Sequence, residues 1–321
     1  MELFQSLWQP MLFLIISMSV LIWGADKFVD YSSLLAKKLG VNELTIGLTV
    51  VALGTSAPEI FVGISSILNQ TESIAMGAVV GSNISNIALI FGIACIGRTL
   101  KPEKTPSKQF IPVILSAGIL GFAIYDLYIS FFESLILLLV LIQFMYLTFK
   151  SGSQSINDHS NNLINKNNIT VIFFLSIGLV ALIFGSKYAV INAEKIANIL
   201  GVSELIIGLT VVAIGTSLPE LAATVSAIIK NKAEMVIGNV IGSNVLNIVV
   251  VVPMIGFISK IKLEPELFKR DYLVMIFLTS IFLLFVRMQS TKYINIFSIK
   301  IFGISLVVGY LLYIAVLGNL L

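Results

Sequence analysis

The 321-residue chain is 57% hydrophobic and 12% charged, and its mean hydropathy is +1.01. Soluble domains carry about 25% charged residues, so this composition all but excludes a soluble enzyme, a nucleic-acid-binding protein and a disordered chain. The net charge of +3 is too small for a phosphate-binding stripe. Because the chain has one cysteine, Cys95, and one histidine, His159, it has no disulfide framework and no metal site built from clustered Cys or His.

In chain order, ten segments are apolar enough to cross a bilayer as helices, which takes about 20 residues each. They lie near residues 7–25, 44–68, 74–97, 110–125, 129–149, 170–186, 205–229, 234–258, 272–286 and 300–319. Most of the 20 Lys and Arg residues fall in loops on the side opposite the termini, and cytoplasmic loops carry such an excess. We therefore expect an all-α, multi-pass protein of the plasma or inner membrane with both termini extracellular.

The sequence repeats itself without gaps at a shift of 161 residues. GVNELTIGLTVVALGTSAPE (40–59) aligns with GVSELIIGLTVVAIGTSLPE (201–220), and GAVVGSNISNI (77–87) aligns with GNVIGSNVLNI (238–248). Each half holds five predicted spans, and an odd number inserts the second copy upside down. The predicted organisation is a first repeat over 1–150, a cytoplasmic polar linker over 151–168 and an inverted second repeat over 169–321. Such inverted repeats are typical of secondary transporters, whose site lies between them near the midplane.

Two acidic residues at equivalent positions, Glu59 and Glu220, lie deep inside predicted spans. A charge at the bilayer centre costs at least about 2.5–3.5 kcal/mol, and such residues are usually functional. A structural role would require a Lys or Arg partner, and the span interiors contain none. Pro58 and Pro219 precede the carboxylates, and proline removes a backbone donor and loosens the helix. We expect each helix to be unwound there, which a membrane protein tolerates where the backbone lines a cavity.

The spans that follow each carboxylate carry GSNISN and GSNVLN. Ser82 and Asn86 share one helix face, as do Ser243 and Asn247; interhelical hydrogen bonding alone would also explain these pairs. Together the repeats offer carboxylate, hydroxyl, amide and carbonyl oxygens. Such hard ligands suit Ca²⁺ and Na⁺, and flexible oxygen coordination favours Ca²⁺ over Mg²⁺. Two carboxylates neutralise one Ca²⁺ or hold Na⁺ ions instead, which is a physical basis for antiport.

The paired GTSxPE and GSNxxN modules resemble the α-repeats of the cation/calcium exchanger superfamily, which includes the Na⁺/Ca²⁺ exchangers. The resemblance implies ion ligands from the side chains and backbone of both modules. Matched residue by residue, these are Ala52, Thr55, Ser56, Glu59, Ser82, Asn86, Ala213, Thr216, Ser217, Glu220, Ser243 and Asn247, with Ala52, Thr55, Ala213 and Thr216 contributing carbonyl oxygens. It also implies that the long first helices, 7–39 and 170–200, slide between inward-open and outward-open states.

Two features depart from the family pattern. Some members carry Asp at the position of Asn247, and this chain has Asn at both equivalent positions, 86 and 247. The chain also lacks the large cytoplasmic loop that carries Ca²⁺-sensing domains in animal exchangers. Regulation through such domains is therefore not expected, and the sequence leaves the coupling ion open.

The function expected from the sequence is extrusion of Ca²⁺ in exchange for Na⁺ by alternating access. The chain would be a transporter and not an enzyme. Its expected partners are the two transported ions and the lipid bilayer, with no cofactor and no nucleic acid, and the chain is taken as a monomer. The alternatives are a Ca²⁺/H⁺ or other cation/proton exchanger, a cation channel and an intramembrane protease.

Overall fold

The structure is a computed structural model that describes residues 2–68, 72–97, 107–152, 167–201, 215, 217–258, 262–289 and 295–318. Throughout these residues the regular elements are helices. They are α1 (Glu2–Leu39), α2 (Glu43–Thr55), α3 (Ala57–Leu68), α4 (Glu72–Gly97), α5 (Ser107–Ala123), α6 (Phe131–Gly152), α7 (Asn168–Ile199), α8 (Leu218–Ile229), α9 (Ala233–Ile258), α10 (Leu267–Gln289) and α11 (Ile296–Leu317).

Seven of the described helices are long and apolar enough to cross a membrane, and the bent pair α2–α3 makes an eighth. The helices α5 and α8 are apolar but shorter. The predicted all-helical membrane protein is thus confirmed, and each predicted span falls wholly or partly on a described helix. Residues 205–214 and 216 of the seventh predicted span lie outside the described residues. The count of ten spans in two inverted repeats stays a prediction.

Several of the predicted boundaries differ from the helices observed. The helix α1 continues beyond the predicted limit of its span at residue 25 as far as Leu39, and α7 continues beyond residue 186 to Ile199. The helices α6 and α7 also take in residues 151, 152 and 168, which the sequence assigned to the linker. Polar and charged residues in these extensions lower the hydropathy without ending the helix. The rest of the predicted linker, 153–166, lies outside the described part of the chain.

The helices α1 and α7 end at equivalent glycines of the two repeats. Gly40 and Gly201 have φ values of +66° and +76°, a conformation that glycine adopts without a steric penalty. The amides of Gly40 and Val41 donate to the carbonyls of Lys37 and Ala36, which closes the last turn of α1. After this turn, the Asn42 side chain caps the start of α2 by accepting from the Thr45 amide at 2.8 Å.

The two long helices α1 and α7 pack against each other along their length. A Cβ atom on Gly24 would lie 2.6 Å from the Leu182 amide nitrogen, and one on Gly185 would lie 2.6 Å from that of Leu21. The backbones therefore approach as closely as small residues permit in a membrane. Tyr31 and Phe174 stack with their ring centroids 5.0 Å apart.

The second repeat packs against the first through α9, whose glycines face the backbone of α2. A Cβ atom on Gly242 would lie 2.5 Å from the Leu48 carbonyl oxygen, and one on Gly238 would lie 2.6 Å from that of Leu44. This contact places the polar residues of α9 beside the break between α2 and α3. Large apolar side chains such as Phe61, which is 68% exposed, cover the outer surface.

Candidate cation site between the repeats

The two GTSxPE motifs break their helices at the same point. In the first repeat, α2 ends at Thr55, Ser56 has φ −81° and ψ 3°, and α3 leaves at an angle of 47°. In the second repeat, Ser217 has φ −93° and ψ 8° and α8 begins at Leu218. The expected interruption of the helix is therefore present in the first repeat. In the second repeat, α8 begins at the equivalent position, directly after Ser217.

The break places each carboxylate in the first turn of a new helix. Glu59 lies in the first turn of α3 and Glu220 in the first turn of α8. The prolines also fall in these first turns, where a missing amide proton costs no helical hydrogen bond. The positive end of the helix dipole favours a negative charge there. The fold thus compensates part of the cost of burying each carboxylate, and no lysine or arginine among the described residues forms an ion pair with either one.

Two of the backbone carbonyls near the breaks have partners. The Gly215 carbonyl, one turn before Pro219, accepts a hydrogen bond from the Ser186 hydroxyl of α7 at 3.2 Å. The Ala52 carbonyl accepts from the Ser56 amide at 3.0 Å, and the Thr55 hydroxyl, whose shorter hydrogen bond is to Asn239, lies 3.4 Å from it. The turn at Ser56 therefore closes on the Ala52 carbonyl, and its expected role as an ion ligand stays a prediction.

Most of the side chains that the sequence assigned to the site are buried together between the two repeats. Glu59 and Ser82 are each 6% exposed, the most of any member. The buried set comprises Ala52, Thr55, Ser56, Glu59, Ser82, Asn86, Ser217, Glu220, Ser243 and Asn247. The two remaining candidates, Ala213 and Thr216, lie outside the described residues.

Hydrogen bonds join the two motifs of one repeat to those of the other. Ser56 donates to a carboxylate oxygen of Glu220 at 3.1 Å, and the amide of Asn247 donates to the Ser82 hydroxyl at 3.0 Å. The amide of Asn86 donates to the side-chain oxygen of Asn244 at 3.0 Å. The polar residues of the two repeats therefore form one buried layer, and the predicted convergence of the motifs is present.

The same layer contains acceptor oxygens without a hydrogen-bond partner among the described residues. These oxygens are both carboxylate oxygens of Glu59, one carboxylate oxygen of Glu220, the side-chain amide oxygens of Asn86 and Asn247, and the hydroxyl oxygen of Ser243. A buried polar atom without a partner costs about 1–3 kcal/mol. The two asparagine amides are oriented by their own N–H donors, which are bonded to Asn244 and Ser82. Their oxygens are left available to an electropositive ligand.

The two carboxylates lie in the same buried layer, because Ser56, three residues before Glu59, donates to Glu220. None of the ion pairs in the described part of the chain involves Glu59 or Glu220. The residues described also contain no cluster of three or more His, Cys, Asp or Glu side chains that could hold a metal. A cation bound here would depend on two carboxylates supplemented by neutral oxygens, as Ca²⁺ coordination allows.

Asn86 and Asn247 each begin a π-helical segment, Asn86–Phe91 in α4 and Asn247–Val251 in α9. Such one-residue widenings of a helix are frequently found at functional sites. The sequence gives no sign of them, because both segments are continuously apolar after the asparagine.

Three further polar residues join the layer without having been singled out from the sequence. Asn239 accepts from the Thr55 hydroxyl at 3.2 Å, Ser85 lies 2.7 Å from Ser217, and Asn244 accepts from Asn86. Asn244 belongs to the GSN motif of the second repeat and aligns with Asn83 in the first, so the repeat contained a signal for it. Asn239 and Ser85 align with Ala78 and Leu246, so a comparison that looks for shared residues passes over them.

A membrane-embedded helical fold with a buried, oxygen-lined layer between two related halves is the architecture of a cation transporter. The model of the family described as sodium/calcium exchanger protein matches residues 10–150 and 170–318. The chain therefore belongs to the sodium/calcium exchanger family and is a cation/calcium antiporter. The family is one of transporters, not of enzymes.

Curated relatives align over most of the chain. It is 32% identical to the inner membrane protein YrbG of Escherichia coli (strain K12) over 281 residues, covering 84% of this chain and 86% of that protein. It is also 32% identical to the sodium/calcium exchanger MaX1 of Methanosarcina acetivorans, covering 86% of this chain and 90% of MaX1.

A solved structure shares the fold as well. The sodium-calcium exchanger NCX_Mj, soaked with 10 mM Na⁺ and 10 mM Sr²⁺, superposes with a TM-score of 0.78 at 29% identity. The superposition covers 95% of this chain and 97% of NCX_Mj. The first expectation drawn from the paired motifs, membership of the cation/calcium exchanger superfamily, is confirmed.

Proposed function

We propose that the protein extrudes Ca²⁺ in exchange for Na⁺ by alternating access, at a site formed by the buried layer between the repeats. The ligands would be Glu59 and Glu220 together with the hydroxyl and amide oxygens of the two motifs, and Ala213 and Thr216 complete the set expected from the family. The resemblance to MaX1 and NCX_Mj, which are sodium/calcium exchangers, supports this choice of ions.

The observation that carries the proposal is the group of partnerless acceptor oxygens. Every one of them can accept and, with both carboxylates ionised, only the Ser243 hydroxyl can also donate, so another acceptor would not satisfy the group. A hard cation would satisfy the whole group at once, since Ca²⁺ binds six to eight oxygens. The two amides support this role because their donors are already engaged and only their oxygens remain.

Exchange follows from the charge of the site. Without an ion, two like charges are buried close together, and rearranging this state through a low-dielectric membrane is unfavourable. One Ca²⁺ balances Glu59 and Glu220, and Na⁺ ions can balance them in turn. The loaded site can therefore change its access while the empty site is held back. That rule couples the outward movement of one ion to the inward movement of the other.

We further propose ten transmembrane helices arranged as two inverted five-helix repeats, 1–150 and 169–321, joined by a cytoplasmic linker. Contacts between segments that the charge pattern places on the cytoplasmic side support this arrangement. Lys230 pairs with Asp26 at 2.6 Å and with Asp30 at 2.8 Å, and Lys38 donates to Asn168 at 2.7 Å. Both termini would then be extracellular. The protein would lie in the cell membrane, in line with its relative YrbG, which is an inner membrane protein.

The moving part in this proposal is the pair α1–α7. Its two members approach each other closely at Gly24 and Gly185, and Ser186 of α7 is bonded to the Gly215 carbonyl beside the site. A rigid pair in contact with the helix break can transmit occupancy of the site to the access path.

The test is flux through the full chain reconstituted in lipid vesicles. An outward Na⁺ gradient should drive ⁴⁵Ca²⁺ uptake, and collapsing that gradient should stop it. Uptake driven by a pH gradient but not by Na⁺ would replace the proposal with a Ca²⁺/H⁺ exchanger. Uptake that depends on neither gradient would indicate a channel.

A further inference from the structure

The two carboxylates of the site are not equivalent, although the repeats that supply them are. The shift of 161 residues aligns Ser56 with Ser217 and Glu59 with Glu220. Ser56 donates to Glu220 at 3.1 Å, so a symmetric site would have Ser217 donating to Glu59. That bond is missing, because neither oxygen of Glu59 has a hydrogen-bond partner within the described residues.

The hydroxyl of Ser217 is bonded to Ser85 instead, with the two oxygens 2.7 Å apart. Ser85 also lies 3.0 Å from the carbonyl oxygen of Ser82, one turn earlier in α4. A hydroxyl carries one proton. Since a carbonyl only accepts, Ser85 uses its proton on Ser82 and receives the proton of Ser217. The Ser217 proton is thereby directed away from Glu59.

The second repeat cannot form the matching contact. Ser85 aligns with Leu246, a buried side chain without a hydroxyl. Ser56 consequently has no competing acceptor at that position and donates to Glu220. The unequal hydrogen bonding of the two carboxylates thus accompanies a difference between the repeats, serine at 85 against leucine at 246.

We propose that Ser85 is a positioning residue that holds the Ser217 proton away from Glu59 and so makes Glu59 the stronger Ca²⁺ ligand of the site. This inference rests on the proposed function, and it adds a residue to the determinants of affinity. A hydrogen bond to a carboxylate occupies a lone pair that a cation must otherwise use. With its proton held by Ser85, Ser217 also presents its own lone pairs to the ion.

The experiment compares the Ca²⁺ dependence of Na⁺-driven uptake in vesicles for the wild type and three variants. Ser85→Ala frees the Ser217 proton to bond Glu59, and the KM for Ca²⁺ should rise about three- to tenfold, the size of one exchanged hydrogen bond. The maximal rate should stay within about twofold, as expected for a change in ground-state binding. Ser85→Thr keeps the hydroxyl and should restore the wild-type KM.

The matched control is Ser116→Ala in α5, because Ser116 is a buried serine whose hydroxyl donates within its own helix, to the Val113 carbonyl at 3.1 Å. Its KM should not change. A Ser85→Ala variant with an unchanged KM would overturn the inference, and so would equal impairment of Ser85→Ala and Ser85→Thr, which would indicate packing.

A second measurement separates the two proposals. The melting temperature of the purified wild type should rise with Ca²⁺, and Ser85→Ala should need correspondingly more Ca²⁺ for the same rise. If the wild type shows neither this rise nor Ca²⁺ uptake, the proposed function fails. If it shows both and Ser85→Ala behaves identically, only the role of Ser85 fails.

Discussion

Replacing either buried carboxylate by its amide should have opposite effects on ion binding and on the stability of the ion-free protein. Glu59 and Glu220 are 6% and 1% exposed, and none of the ion pairs found in the described chain involves them. With Ca²⁺ bound, two charges of −1 balance one of +2. Glu59→Gln or Glu220→Gln would leave the bound ion with an uncompensated positive charge in a buried site.

The magnitude follows from this burial. Removing one partner of a buried charge pair costs about 3–5 kcal/mol. Since about 1.4 kcal/mol is a factor of ten, Ca²⁺ should bind about two to nearly four orders of magnitude more weakly. Na⁺-driven Ca²⁺ uptake in vesicles should therefore be lost in both variants at Ca²⁺ concentrations near the wild-type KM.

Without ions the same substitutions remove one of two like charges that repel each other in the protein interior. The melting temperature of Glu59→Gln in chelator should accordingly exceed that of the wild type, and added Ca²⁺ should no longer raise it. A variant that merely misfolds would lose stability in chelator as well. The two signs together distinguish loss of a ligand from loss of the fold.

The control is Glu133→Gln, a similarly buried glutamate that starts α6. Its carboxylate accepts from the Ser130 amide at 2.7 Å, so the substitution weakens a helix cap and leaves the ion site intact. Uptake within tenfold of the wild type in Glu59→Gln or Glu220→Gln, or lower stability of both in chelator, would refute the reasoning.

Two further outcomes are expected. Burial lowers the pKa of Lys232, in the turn between α8 and α9, below its ordinary value of 10.5, because the cost of desolvating the ammonium exceeds the stabilisation by Glu43 and Asp30. In NMR of the ¹³C-dimethylated protein, the Lys232 resonance, assigned by its loss in Lys232→Arg, should titrate at a lower pH than those of the exposed lysines. Titration at the same or a higher pH would contradict this effect of burial. Gly242→Ala would place a methyl group 2.5 Å from the Leu48 carbonyl oxygen and 2.6 Å from the Ala52 side chain. This variant should be destabilised by about 1–3 kcal/mol, measured by thermal unfolding. The control Gly118→Ala, whose methyl group would meet no described atom within 4 Å, should leave the melting temperature unchanged.

The identity of the site residues could be predicted because burying charge in a membrane is costly. A carboxylate at the same place in two copies of a duplicated gene, preceded by Pro58 and Pro219, has few explanations apart from a cation site. The spans could be predicted for a related reason, since a bilayer demands about 20 apolar residues per helix. The lengths of α1 and α7 could not be read from hydropathy, because their last turns are polar and remain helical through tertiary packing.

The sequence by itself determined a helical membrane protein, a duplicated architecture and the acidic residues around which a cation site is expected, because each depends on local composition or on internal identity. Only the tertiary structure decided how the two copies meet. It joined Ser56 to Glu220, closed the Ala52 carbonyl within its own turn and bonded Ser217 to Ser85. These contacts depend on side chains more than 100 residues apart in sequence or on the geometry of a turn. An alignment of the repeats predicts the same contacts for equivalent residues. The hydrogen bonds differ because each serine hydroxyl has one proton, and its orientation depends on the acceptors around it.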